Sequence, residues 1–310
     1  MRVPATRASR YAVTSDESGF ILVAVLWIIA ALAALAAIYS SYALRTAAAA
    51  NIPFQRLEAE ASIRAGVELA AFQVLAAPER ERPTHGAFEV RVGRTKVAVR
   101  YRSEGGRIDL NAAPKELLSG LFVSAGVADA AAATFADRIM DWRKNAGQGA
   151  SVAAAPASAD NTPAPPHLAG QAPFNNTLEL ALIFGLPDYV VERVLPDVTV
   201  FSGKPQVDVV NASPEVLAAL PAMTPDILHK VLEARARDPD DGRALLELLG
   251  PARNSATTDS SNALRASISV DLENGRRIQA EVVFLMSDAG DDPYDIVYWR
   301  DDFDGPMQGD

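Results

Sequence analysis

Gly19 to Tyr39 reads GFILVAVLWIIAALAALAAIY, and the rest of the chain is placed by how this stretch is read. No charged side chain occurs from Phe20 to Leu44. At about 1.5 Å of rise per residue, those positions form a helix longer than the ~30 Å hydrocarbon core of a bilayer. Arg2, Arg7 and Arg10 precede it, with Asp16 and Glu17 just inside them. An arginine excess at the leading end keeps that end in the cytoplasm, so the residues beyond the span are expected on the other side of the membrane.

Composition bounds the rest. A chain of 310 residues supports a sizeable core and, by length, about two domains. A formal net charge of -10 opposes indiscriminate binding to nucleic acid or anionic lipid. The absence of cysteine leaves an oxidising compartment permitted but unsigned by disulfides. His85, His167 and His229 are far apart in sequence, and without cysteine they suggest no zinc site. The Gly-x-Ser-x-Gly elbow, the phosphate loop and His-Glu-x-x-His are all missing, so no motif points to an enzyme.

Beyond Arg45 the run AAAANIPFQRLEAEASIRAGVELAAFQVLAA continues to favour helix. Leu57, Ala61, Arg64, Glu68 and Phe72 form an amphipathic pattern whose apolar stripe is expected to cover a sheet. Pro53 removes a donor and predicts a kink or short break, and Pro78 and Pro83 close the segment. Alternation in Ala87 to Val92 and Lys96 to Arg102, around Gly93-Arg94, predicts a half-buried hairpin. A second hairpin is predicted from SISVDL, the turn Glu273-Asn274-Gly275-Arg276 and RIQAEVVFLM, with Asn-Gly favouring a type I′ turn. Asp295 to Arg300 adds a further strand. The economical fold is α+β: one antiparallel sheet, residues 84–108 and 263–304, packed on the N-terminal helix of residues 20–77 and split by a helical insertion, residues 109–250.

The insertion contains a repeat. Arg107 to Leu118, RIDLNAAPKELL, returns as Gln206 to Leu217, QVDVVNASPEVL, with one residue added before the Asn. In both, a short extended piece delivers an Asn ahead of a Pro at the first helical turn, where its missing donor costs nothing. Two related helical subdomains follow from this. Between them, Asn145 to Pro173 is rich in Ala, Pro and Gly and reads as a mobile excursion. Similar openings occur in helix-hairpin-helix modules that present backbone amides to phosphates, but LFVSAGVAD and LPAMTPDIL lack the paired glycines, and packing of the subdomains is the competing reading. Asp238, Asp240 and Asp241, and Asp288, Asp291, Asp292 and Asp295, are the acids that could hold calcium. Neither group has the spacing of a helix-loop-helix calcium loop, and a solvated acidic turn competes with each. Trp142 and Trp299 read as core anchors.

The N-terminal junction admits two cuts besides an uncleaved anchor: after Ala47-Ala48-Ala49, as in a secretory signal, or between Gly19 and Phe20, which leaves the helix on the mature chain. A polar leader ending in Gly19, Phe20 opening a membrane helix, and a sheet beyond together resemble a type IV pilin or pseudopilin precursor. EGGRIDLNAAPKELLSGLF, NTLELALIFGLPDYVVERVLPDVTVFSG and VDVVNASPEVLAALPAM resemble the general secretion pathway protein K family, the large minor pseudopilin of type II secretion.

The resemblance implies a pilin-like helix, transmembrane over residues 20–44, after a leader of residues 1–19. It implies cleavage between Gly19 and Phe20 by prepilin peptidase and N-methylation of Phe20. Most pilins carry Glu at the fifth mature position, where this chain has Ala24. A carboxylate at that depth is costly unless paired, so Ala24 suits a subunit with none above it. The implied role is non-enzymatic: a tip subunit in the inner membrane with its bulk in the periplasm, initiating a pseudopilus. Its implied partners are the I-type and J-type minor pseudopilins, the major pseudopilin, and the exoprotein or secretin channel, with no nucleic acid. No cofactor is implied beyond calcium, and RKNAGQG follows Asp141-Trp142 where the family commonly has an Asp-rich turn. A membrane-anchored DNA-binding protein of a competence-type uptake system is the alternative.

Overall fold

The computed structural model describes residues 17–78, 81–149, 174–239, 241–287 and 292–303. Two compact units, Met1–Glu58 and Ala59–Asp310, divide the chain. Helix α1, Glu17–Leu75, runs through 59 residues without a break at Pro53. One proline removes one backbone donor, and the helix-forming residues on both sides carry the hydrogen bonding past it. In the first unit, Leu22–Tyr42 is long and apolar enough to cross a membrane, and its apolar side chains face outward on all sides, with Trp27 72% exposed.

In the second unit, α1 is half-buried against a sheet. Strands β1 (His85–Val92) and β2 (Thr95–Ser103) form the first predicted hairpin. Three more strands, which close the chain, complete an antiparallel sheet in the order β1-β2-β7-β8-β9: β7 (Ala263–Asp271), β8 (Arg277–Met286) and β9 (Tyr294–Asp301). Rows of apolar side chains cross it, such as Val97, Val270 and Ile278, or Tyr101, Ala266 and Val282. These rows meet Ala59, Ile63, Val67, Ala70, Ala71 and Val74 of α1 in one core.

The buried face of α1 is therefore displaced from the predicted stripe. Leu57, Ala61, Arg64, Glu68 and Phe72 are all exposed, Phe72 by 68%. The reason is Gly66, where a methyl would lie 3.0 Å from Val99 Cγ2. Small residues on that side bring the helix close to the sheet, and close contact outweighs the larger apolar side chains of the other stripe. The second hairpin also differs at its turn. Type I′ needs positive φ at both central residues, but within that loop only Gly275 has it, at φ 81. Asn274 instead accepts the Arg276 backbone N–H through its side chain, at 2.9 Å.

Among the described residues, ten α-helices and short strands with a second core lie between β2 and β7. They are β3 (Ile108–Asp109), α2 (Lys115–Ser124), α3 (Asp129–Gly149), α4 (Asp188–Val194), β4 (Val198–Thr199), β5 (Val207–Asp208) and, after them, α5 (Pro214–Ala218), α6 (Pro225–Arg237), α7 (Gly242–Leu248) and β6 (Ala256–Thr257) grouped around two short parallel bridges. One bridge joins β3 to β4 and the other β5 to β6. Both repeat copies contribute to the same core, Leu117, Leu118 and Leu121 from one and Val216, Leu217 and Leu220 from the other.

The repeat is real, but its register is not the one expected from the Asn residues. Asp109 and Asp208 are the equivalent positions, and the copies superpose in sequence without the added residue. Asp109 accepts the Asn111 N–H at 2.7 Å, and Asp208 accepts the Val210 N–H at 3.0 Å. Ala113 N–H bonds to the Asp109 carbonyl and Ala212 N–H to the Asp208 carbonyl, each at 2.9 Å. In each copy the following helix hairpin turns on a residue of positive φ, Gly126 at 89 and Ala222 at 63. The copies touch at α2 and α5, where a methyl on Gly120 would overlap the Ala219 carbonyl.

Two substitutions should therefore move stability in opposite directions. Gly120→Ala forces α2 and α5 apart and is expected to cost about 3 kcal/mol or more. Ala222→Gly relieves a left-handed alanine and is expected to gain about 0.5–1 kcal/mol after the added unfolded-chain entropy. Thermal unfolding of the full chain in detergent, followed by circular dichroism, measures both.

Candidate functional site

The predicted processing residues fall where α1 begins. Gly19 and Phe20 lie in its first turn, but their side chains are outside the described residues. Ala24 is within the candidate span and partly exposed. Of the acidic groups, Asp240, Asp288 and Asp291 lie outside the described residues. Asp241 caps α7, accepting the Ala244 N–H at 3.0 Å. Among the described residues, no group of His, Cys, Asp or Glu is gathered for a metal.

What the fold does gather is a charged junction where the chain leaves the sheet. After β2, Glu104–Gly106 makes a 3-10 turn capped by Ser103, whose side chain accepts the Gly105 N–H. Glu104 is 1% exposed. Arg265, one strand away on β7, grips it with two donors, Nε to Oε1 at 2.7 Å and Nη2 to Oε2 at 3.0 Å. The Thr199 hydroxyl of β4 donates to the same carboxylate. Arg265 also meets Glu281 of β8 at 3.1 Å, and Glu281 meets Arg300 of β9 at 3.1 Å. Burial alone would push the Glu104 carboxyl up, but Arg265, Arg107 and Thr199 hold it below the ordinary glutamate range.

The turns of the two repeats form the next layer. Asp109 also accepts from Ser202 Oγ at 2.9 Å and the Gly203 N–H at 2.8 Å, tying the loop after β4 to the first turn. Burial pushes the carboxyls of Asp109 and Asp208 up despite the hydrogen bonds each accepts. Each turn is held by an arginine from the second helix of its copy. Arg143 donates to the carbonyls of Leu110 and Ala113, at 2.5 and 2.7 Å. Arg235 donates to Val209 and Ala212, at 3.4 and 2.5 Å.

The Asn residues that revealed the repeat do different work. Asn111 clasps the Phe174 backbone, donating to its carbonyl at 2.9 Å and accepting from its N–H at 3.0 Å. Phe174 stacks on Trp142 at 5.8 Å, so Trp142 anchors the core as expected. Asn211 instead donates to Thr84 Oγ1 and Asp208 Oδ2. After Phe174, Leu178, Leu182, Phe184 and Tyr189 turn outward, Phe184 by 90%. Trp299 packs on the sheet core and donates to Asp301.

Glu104 and Arg265 escaped sequence reading because nothing in SEGGR or ALRAS distinguishes a buried ion pair from two surface charges. Only the lone acid between a strand and two glycines offered a hint.

Removing the charge tests the junction. Glu104→Gln leaves Arg265 buried with a weakened partner and is expected to cost about 3–5 kcal/mol at neutral pH. Because the folded carboxyl titrates below its unfolded value, its contribution is present above the unfolded pKa and lost as pH falls through the folded one. Urea unfolding of both chains should therefore show the difference shrinking as the pH is lowered through the carboxylate range.

Residues 101–203 match the family model described as type II secretion system (T2SS), protein K. No curated protein matches. Among solved structures, the chain is similar to one in the GspK-GspI-GspJ complex from the enterotoxigenic Escherichia coli type 2 secretion system. That likeness has 13% identity and a TM-score of 0.49, and covers 80% of this chain and 98% of that one. The family match opens in β2 and takes in Glu104, the first repeat copy, Thr199 and Gly203, which is the junction and what closes on it. Residues 101–203 are thus similar to the type II secretion system protein K family over the junction and the first repeat copy.

Proposed function

We propose that the chain is a structural, non-enzymatic subunit at the tip of a periplasmic pseudopilus, where it initiates assembly and supports export across the outer membrane. The observation that carries this reading is the family match over residues 101–203, which begins where the chain leaves the sheet. Three features support the finer points. The span Leu22–Tyr42 opens just after Gly19-Phe20, which fits cleavage between them and a mature helix anchored in the inner membrane. Ala24 stands where a pilin that receives a subunit above it would carry Glu. The helical region between β2 and β7, residues 109–250, has a core of its own, and such bulk suits an end of a filament better than its shaft.

Its partners on this reading are I-type and J-type minor pseudopilins and the major pseudopilin, with prepilin peptidase acting on the precursor. The exposed side chains Leu178, Leu182, Phe184 and Tyr189 give the helical region an apolar surface for an exoprotein or the secretin channel.

Mass spectrometry of the protein recovered from membranes should find N-methylated Phe20 at the mature N-terminus. A chain starting at Asn51, or an intact Met1, would overturn the reading. Ala24→Glu places an unpaired carboxylate in the span at about 2.5–3.5 kcal/mol on insertion scales. Secretion and copurification of minor pseudopilins should fall, and unchanged assembly would remove the tip assignment.

A further inference from the structure

Arginines with unspent donors line the seam between the outer face of the sheet and the helical region. A cavity of about 350 Å³ there is bordered by Arg100, Arg102, Arg107 and Arg265, against two carboxylates, Glu104 and Asp197. Arg265 is fully engaged by Glu104 and Glu281. The other three are not. Arg107 is partly buried, and its Nε stands 3.7 Å from Glu104, whose oxygens Arg265 and Thr199 already occupy. The side chains of Arg100 and Arg102 make no hydrogen bond or ion pair among the described residues, and Arg235 and Arg102 repel each other. Asp197 gives one of its oxygens to the Ser213 hydroxyl at 2.8 Å.

The sheet register explains why these charges converge. Arg100 and Arg102 alternate with the inward Val99 and Tyr101, so both point to the face opposite α1. Arg102 is paired with Arg265 and Arg100 with Ser267. Arg100 and Ser267 also border a second trough of about 440 Å³ on the outer face, floored by the small residues Ala98 and Ser269 and edged by Glu89, Glu281 and Arg300. An extended backbone can lie on such a floor while its side chains reach the seam.

We propose that this seam is a docking site for an acidic peptide segment of a partner protein, with Arg100, Arg102 and Arg107 receiving its carboxylates. Guanidinium forks match carboxylates with paired N–H···O bonds, and the seam carries a local cationic excess on a chain whose net charge is -10. That overall charge favours a short acidic segment over a polyanion, since a long strand would leave the seam and meet repulsion. The site does not depend on processing at Gly19 or on the tip position, so those tests and this one fail separately.

The full chain in detergent is titrated with a fluorescent oligoglutamate peptide at low salt, with fluorescence anisotropy as the readout. Saturable binding is expected, weakened by salt. In the double variant Arg100→Ser with Arg102→Ser, it should weaken by about tenfold or more. Both arginines are exposed, so the variant should melt with the parent chain. Arg100→Lys with Arg102→Lys keeps the charge but not the fork, and should bind between the two. The proposal is overturned by no binding, by equal binding in the Ser variant, or by Lys binding as tight as wild type. An oligonucleotide of equal length binding more tightly than the peptide would overturn it in favour of nucleic acid.

Discussion

The ion pair between Glu104 and Arg265 is the constraint from which the second unit is built. It stands where β2 ends, and each partner belongs to a different part of the chain order, one before the helical region and one after it. A carboxylate so deeply buried is tolerable only with its charge answered and its lone pairs filled. Arg265 answers the charge, and Thr199 of β4 fills a remaining position. The sheet and the helical region thus share one electrostatic knot. Its worth is in fixing where the helical region starts and where β7 must return, because buried pairs often add little net stability over apolar packing.

From that knot the two repeat copies extend by one local device. An Asp side chain accepts a backbone N–H two residues on, which turns the chain, and an arginine from the second helix of the same copy holds the turn's carbonyls. Neither copy closes a core alone. Gly120 lets α2 lie against α5 at the Ala219 carbonyl, and at Gly106 a methyl would lie 2.5 Å from the Asn211 carbonyl group, which brings the junction itself against the second copy. The absence of side chains at these two positions sets how closely the copies and the junction approach.

Function follows from the separation of surfaces. In the second unit the inner sheet face is consumed by α1, while the outer face stays polar and keeps its arginines open at the seam. Apolar side chains after Phe174 are displayed elsewhere on the helical region. A chain with a membrane-length helix, one committed sheet face and several displayed surfaces offers its chemistry through contact.

The sequence by itself determined the membrane-length helix, both hairpins, the antiparallel class of the sheet and the existence of a repeat. Each depends on local periodicity or on uninterrupted apolarity, which are properties of neighbouring residues. The tertiary structure decided the rest. It chose the face of α1 by close approach at Gly66, leaving Phe72 and Leu57 outside although they are larger. It moved the repeat register from Asn111 and Asn211 to Asp109 and Asp208, because hydrogen-bonding roles depend on which donors surround a side chain. It buried Glu104 and left Arg100 and Arg102 unpaired, although all three read alike as charges on a strand end. Burial and pairing are set by residues distant in sequence, and no local pattern records them.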